Sequence, residues 1–238
     1  MPARVLLTGF EPFGPHSVNP SEVLVRRLAA APPEGVRLTT RVLPVAWKRA
    51  FAPLARALLG GRLDAVLMLG LAANRDHLEF ERFALNWRAA PSPDEDGVSD
   101  EGSPIDPAGP AACFATIPID DLVAACREAG APARTSNHAG TFLCNQVLYQ
   151  ALRLCDREDL RCRVGFLHLP PFEPVDGAAG TSEEVQFRAV AAALRSLSEE
   201  AESGTRRRRG SRSRVQTPRV ASRPGKARHG SVGRRTRR

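Results

Sequence analysis

The sequence predicts an α/β protein, a three-layer α/β/α sandwich with a mostly parallel, mixed central sheet, followed by a disordered basic C-terminal tail. Three observations predict it. Short apolar runs alternate with stretches of helical periodicity from the first residues onward, joined by short connections, as a sheet flanked by helices requires. Two of the runs, residues 64–70 (DAVLMLG) and 163–169 (RVGFLHL), are apolar almost throughout, the pattern of strands buried on both faces. Finally, the charge changes abruptly near residue 204. The whole chain carries +8, yet residues 205–238 hold 14 Lys or Arg and no acid, which leaves 20 basic and 26 acidic side chains in residues 1–204. The body is therefore acidic.

Residues 5–9 (VLLTG) form a short apolar strand that ends at a glycine and feeds the loop 9–20, GFEPFGPHSVNP. Pro20 and Ser21 open a helix whose apolar stripe is Val23, Leu24, Leu28 and Ala31. Residues 37–45 alternate as a strand, 47–59 are amphipathic helix, and 64–70 return to the sheet. Residues 78–87 alternate and predict another strand, whereas 89–110 are rich in Pro, Asp, Gly and Ser and read as a long loop of the kind that carries function or covers a site. A helix over 119–129, a short strand over 134–137, a helix over 144–155 and the strand 163–169, stopped by Pro170-Pro171, follow. Ser182 caps the last helix, 182–200, with Glu183 and Glu184 in its first turn. The tail beyond residue 204 has almost nothing apolar to bury and repels itself. It suits non-specific contact with nucleic acid or another polyanion, or serves as a dispensable extension; aromatic residues for base stacking are absent from it.

No stretch is long enough to span a membrane. Five cysteines, an odd number without a C-x-x-C pair, and no secretory signal predict a reduced, cytoplasmic chain. Free cysteines are usually small core hydrophobes, and Cys113, Cys126, Cys155 and Cys162 read that way. Cys144 differs, because the polar, glycine-containing run SNHAGTFLCN places it in the first turn of a helix with Val147, Leu148, Ala151, Leu152 and Cys155 on one face. Unsatisfied N–H groups and the helix dipole favour an anion there, so the position predicts a lowered thiol pKa and an oxyanion site.

A thiol nucleophile needs a base, and imidazole titrates in the right range. Among His16, His77, His138, His168 and His229, only His168 ends an apolar strand, at the edge where open α/β sheets bind ligands. An acid should fix its tautomer, and Glu79 and Glu81 share one face of the strand 78–87; spacing leaves both open.

The blocks GFEPFG with Asn19, then Glu81-Arg82-Phe83-Ala84-Leu85-Asn86, then GPAACFATIP, SNHAGTFLCN with Tyr149, and GFLHLP resemble pyroglutamyl peptidase I, also called pyrrolidone-carboxylate peptidase, in the family's order and across nearly all of residues 3–200. The resemblance implies a cytosolic cysteine peptidase that removes an N-terminal pyroglutamyl residue from small peptides through a thioester, without metal or cofactor, as a homotetramer. Matched by motif, Cys144 is the nucleophile, His168 the acid/base and Glu81 its orienter. Phe10, Phe13 and Phe142 resemble the walls of the lactam slot, and Asn19 and the backbone of Leu71 its polar contacts. The chain departs from the family twice. It reads Gly70-Leu71-Ala72-Ala73-Asn74-Arg75 where relatives commonly show Gly-Gln-Ala-Gly-Gly-Arg, and it lacks the arginine that relatives carry near Pro91 to assist the oxyanion. Arg88 is the neighbouring candidate to replace that arginine. The same residues admit an alternative: a catalytically weakened lactam- or peptide-binding protein tethered to a polyanion by the tail.

Overall fold

The computed structural model describes residues 2–90, 92–173 and 180–212. Its elements run β1 (Ala3–Phe10), α1 (Pro20–Ala30), β2 (Val36–Leu43), α2 (Phe51–Leu59), β3 (Ala65–Leu71), β4 (Leu78–Leu85), β5 (Ala112–Phe114), α3 (Ile119–Glu128), β6 (Ala133–His138), α4 (Leu143–Arg157), β7 (Arg163–Leu169) and α5 (Glu183–Arg212). No helix among the described residues is long and apolar enough to cross a membrane.

The sheet is mixed, with strand order β2-β1-β3-β7-β4-β5 and β6 also paired to β4. β2, β1, β3 and β7 run parallel, so β1, β3 and β7 deliver Phe10, Leu71 and His168 to one edge. β4 runs antiparallel to β7, which brings the start of β4 to that same edge and sets Glu79 opposite His168. Two apolar layers cover the sheet. Side chains of α1, α3 and α5 pack with Val5, Leu7, Leu67, Leu69, Phe80 and Leu167 on one face. Those of α2 and α4 pack with Leu6, Phe10, Val66, Met68, Val164 and Phe166 on the other. Because strand side chains alternate between faces, His168 and Gly70 turn toward the α4 layer, as do Glu79 and Glu81.

Several elements differ from the sequence expectation. α2 begins at Phe51 rather than at residue 47, because Trp47 is held in a turn: its N–H donates to Asp94 Oδ2 at 2.7 Å and its carbonyl accepts from Gln146 Nε2 at 2.8 Å. β2 ends at Leu43, before Pro44, which has no N–H to give the ladder. β5 was not expected; three residues give too short a pattern to read, and its pairing with Phe83–Leu85 defines it. α5 continues to Arg212, past residue 200 and into the basic segment, where Ala, Glu and Arg are good helix formers. Residues 213–238, most of the expected tail, lie outside the described residues.

Candidate active site

Cys144 is the second residue of α4, whose N-cap, Phe142, is extended and offers no side-chain hydrogen bond, leaving first-turn N–H groups for another acceptor. The chain enters through Gly140, whose φ of +75° belongs to the left-handed region that favours glycine; its N–H donates to His138 Nδ1 at 3.1 Å. The next residue in the helix, Asn145, fastens this end of α4 to the end of β4. Its Oδ1 accepts from Leu85 N at 2.8 Å, and its Nδ2 donates to Leu85 O and Trp87 O, each at 2.9 Å. Below lies Gly70, which pairs in register with His168. A Cβ on Gly70 would sit 2.8 Å from Cys144 Sγ, so glycine is what admits the thiol to the strand ends.

His168 is buried beside Phe166 and its Nδ1 meets Glu81 Oε1 at 2.6 Å. Register alone would have favoured Glu79, which is directly opposite His168. Glu79 is engaged elsewhere: Arg134 Nε donates to its Oε1 at 2.7 Å, and Arg75 Nη1 pairs with its Oε2. Arg75 Nη1 also reaches Glu81 Oε1 at 2.7 Å. Burial works to raise the Glu81 pKa, but the hydrogen bond and charge of His168 outweigh it, with the Ser136 hydroxyl and Arg75 adding to the effect, and the carboxyl is held below its ordinary range.

The lowered thiol pKa expected at Cys144 does not hold. Burial pushes it up to about 12, the Glu81 charge adds to that, and the residue's own backbone N–H and Arg75 oppose without reversing it. Desolvation of a thiolate outweighs one helix start. Cys126, buried in the opposite layer, is likewise pushed up to about 12 by burial. All five cysteines are free thiols.

Next to Cys144 stands an aromatic wall. Phe142 meets Phe13 at 6.5 Å between ring centroids and Trp47 edge-on at 5.0 Å, while Phe10 closes β1 in the same apolar layer. Trp47 was not among the expected wall residues, since it read as the start of a helix. Its indole N–H is buried without a hydrogen-bond partner among the described residues. Asn19 caps α1: its Oδ1 accepts from Ser21 N at 3.0 Å and from Ser21 Oγ at 2.8 Å, and its Nδ2 donates to Glu11 O at 3.0 Å. On this geometry Asn19 fixes the loop that carries Phe13. Strand alternation turns the Leu71 side chain toward the layer away from α4, so the backbone is the part of Leu71 that faces the thiol's side. Arg88 Nε lies 2.6 Å from Asp100 Oδ2 and 3.0 Å from Ser103 Oγ in the long loop, and its guanidinium carbon lies 5.9 Å from the ring centroid of Trp47. Pro91 lies outside the described residues.

A model of the pyroglutamyl peptidase family matches residues 3–200. A pyrrolidone-carboxylate peptidase of Streptomyces coelicolor is 41% identical over 194 residues, covering 82% of this chain and 89% of that protein. One from Bacillus licheniformis is 39% identical over 178 residues, covering 74% and 83%. Among solved structures, pyroglutamyl peptidase I of Bacillus amyloliquefaciens superposes with a TM-score of 0.79 at 31% identity, covering 84% of this chain and 98% of the other. The pyrrolidone carboxyl peptidase of Thermococcus litoralis gives 0.79 at 32%, covering 85% and 96%. With the family model matching residues 3–200 and relatives of about 40% identity aligned over most of their own length, the chain belongs to the pyroglutamyl peptidase family.

Proposed function

We propose that Cys144, His168 and Glu81 are the groups with which this cysteine exopeptidase hydrolyses the bond after an N-terminal pyroglutamyl residue. The observation that carries the assignment is the 2.6 Å contact of His168 Nδ1 with Glu81, at a strand end whose in-register neighbour Gly70 makes room for Cys144 Sγ. With Nδ1 engaged by the carboxylate, Nε2 is the nitrogen left to accept a proton.

A thiol pushed up to about 12 is almost entirely protonated at neutral pH, so attack requires His168 to take the thiol proton as the C–S bond forms. The pyroglutamyl carbonyl becomes a tetrahedral oxyanion, which the first-turn N–H groups of α4 stabilise. The imidazolium gives its proton to the departing amine as the C–N bond breaks, leaving a thioester. Water then adds, with His168 taking its proton, and pyroglutamate leaves as the thiol is restored. Phe10, Phe13 and Phe142, with Trp47 beside them, form the flat wall for the lactam; the Leu71 backbone supplies polar contact, and Asn19 holds the wall's loop in place.

Purified protein should release fluorophore from a pyroglutamyl-coumarin amide, and Cys144→Ala should abolish the release. Folded wild-type protein without turnover would refute the assignment. The alternative of a weakened binding protein is not favoured, since the relatives are named as peptidases.

Residues 1–204 form the catalytic domain and 205–238 a basic appendage that contacts polyanions; the family match ending at residue 200 supports this division. The five free thiols suit a reducing cytoplasm. Self-association into a homotetramer follows from the resemblance to the family, and Phe114, 65% accessible on β5 and packed on Phe83 at 4.5 Å, is an apolar side chain that such an interface would cover.

A further inference from the structure

Arg75 sits in the turn between β3 and β4, and this turn is tied to the strand that carries His168. Ala72 N donates to Leu169 O at 2.9 Å, and Arg75 N donates to Ala72 O at 3.1 Å. From there Nη1 reaches Glu81 Oε1 at 2.7 Å and also Glu79 Oε2. The oxygen it holds on Glu81 is the one that meets His168 Nδ1 at 2.6 Å. One carboxylate oxygen thus lies between a permanently charged guanidinium and the imidazole.

The surroundings give that cation a role. The side chains of Glu79 and Glu81 are 5% and 0% exposed and lie on one face of β4. Two carboxylates buried together drive one of them to take up a proton unless cations stand between them. Arg134, from β6, reaches Glu79. Among the described residues, Arg75 is the one arginine or lysine paired with Glu81. Among the described residues, Ser136 from β6 and Cys144 from the start of α4 also face the pair.

We propose that Arg75 is a positioning residue for the reaction, holding Glu81 ionised and turned to His168 while offsetting, at Cys144, the negative charge that Glu81 brings to the site. The proposal rests on the assignment of Cys144, His168 and Glu81 made above. The need for it is electrostatic. A carboxylate that stabilises imidazolium opposes a thiolate by the same field, and a second charge of opposite sign behind the carboxylate reduces that penalty. At the Cys144 thiol the two charges act with these signs, Glu81 raising its pKa and Arg75 lowering it.

The test is the pH profile of kcat/KM on a pyroglutamyl-coumarin amide for wild type, Arg75→Met, Arg75→Lys and Glu79→Gln. Losing the positive charge in Arg75→Met should move both limbs of the bell to higher pH by about one unit, and the lost charge-assisted hydrogen bond should lower kcat about tenfold. Arg75→Lys keeps the charge and should return the limbs toward wild type while recovering part of kcat. Glu79→Gln removes a negative charge and should move the limbs to lower pH. A residue that served folding alone would reduce the active fraction and leave every limb in place. Unmoved limbs in Arg75→Met, or displacement in the same direction as in Glu79→Gln, would overturn the proposal. Should Arg75→Met fail to fold, an unmoved or alkaline-shifted Glu79→Gln would overturn it equally. A wild type without turnover, or an active Cys144→Ala, counts instead against the catalytic assignment, so the two failures are distinguishable.

Discussion

Cys144 shows how two local effects of opposite sign are settled by size. The start of α4 favours a thiolate, but the charge would have to be carried beneath a helix, next to Phe166 and the Glu81 carboxylate, and desolvation dominates. The uncoupled thiol should therefore react late in a titration. In His168→Ala, the rate of Cys144 alkylation by iodoacetamide should still be climbing above pH 9, and a plateau below pH 7 would contradict the raised pKa. The same substitution should cost about 100- to 10,000-fold in turnover, the usual worth of a general acid/base. Glu81 has the opposite shift. Its pKa in the folded protein lies below the ordinary 4.5, so its contribution to stability is complete above that value and drains away as pH falls through the folded one. Thermal melts should show the wild type losing stability below about pH 4.5 more steeply than Glu81→Gln; parallel curves would deny the shift. Spacing left Glu79 and Glu81 equivalent in the sequence. What separates them is that two arginines from other segments occupy Glu79.

At the scale of elements, the site is an intersection: the ends of β1, β3 and β7 and the start of β4 meet beneath the first turn of α4. Gly70 is the contact point. A methyl at Gly70 would meet Phe166 Cζ at 2.7 Å and Cys144 Sγ at 2.8 Å, so Gly70→Ala must displace the thiol or the ring. Turnover should fall by at least about tenfold, while the melting temperature drops only by the few degrees that about 1–3 kcal/mol of overpacking implies. Unchanged kcat would mean that the thiol is not held against β3. β3 and β7 were legible because strands buried on both faces carry an almost unbroken apolar run, and α4 because its stripe repeats at helical spacing. β5 and the turn at Trp47 were not. Each is defined by partners distant in sequence, β4 for the first and Asp94 with Gln146 for the second, and their own few residues hold no period. The long loop 89–110 was legible as a loop but not as a clamp. Asp94, buried in that loop, accepts from Trp47 N at 2.7 Å and from Val98 N at 2.8 Å, tying the loop to the turn beside Phe142.

For the whole molecule, the basic segment and the enzyme body should be separable. Removing residues 205–238 takes away 14 basic side chains and leaves the buried part of α5, through Leu197 and Ser198, in place. Peptidase activity of the truncated protein should match the full chain, while retention on heparin or duplex DNA at low salt should be lost; retention that survives truncation would exclude the segment as the polyanion contact. Sequence alone determined the alternation of layers, the strand ends where ligands bind, the thiol at a helix start, the favoured histidine and the family, because these depend on periodicity and on motifs whose order survives in a linear string. Tertiary structure decided the rest: why Glu81, which the motif match names but spacing leaves level with Glu79, is the acid that meets the imidazole, that Arg75 joins the two acids, that Arg88 pairs with Asp100, and that the thiol is raised rather than lowered. Those outcomes turn on the direction of β4, on burial and on charges brought together from β3–β4, β6 and α4. None of these is a property of residues adjacent in the chain.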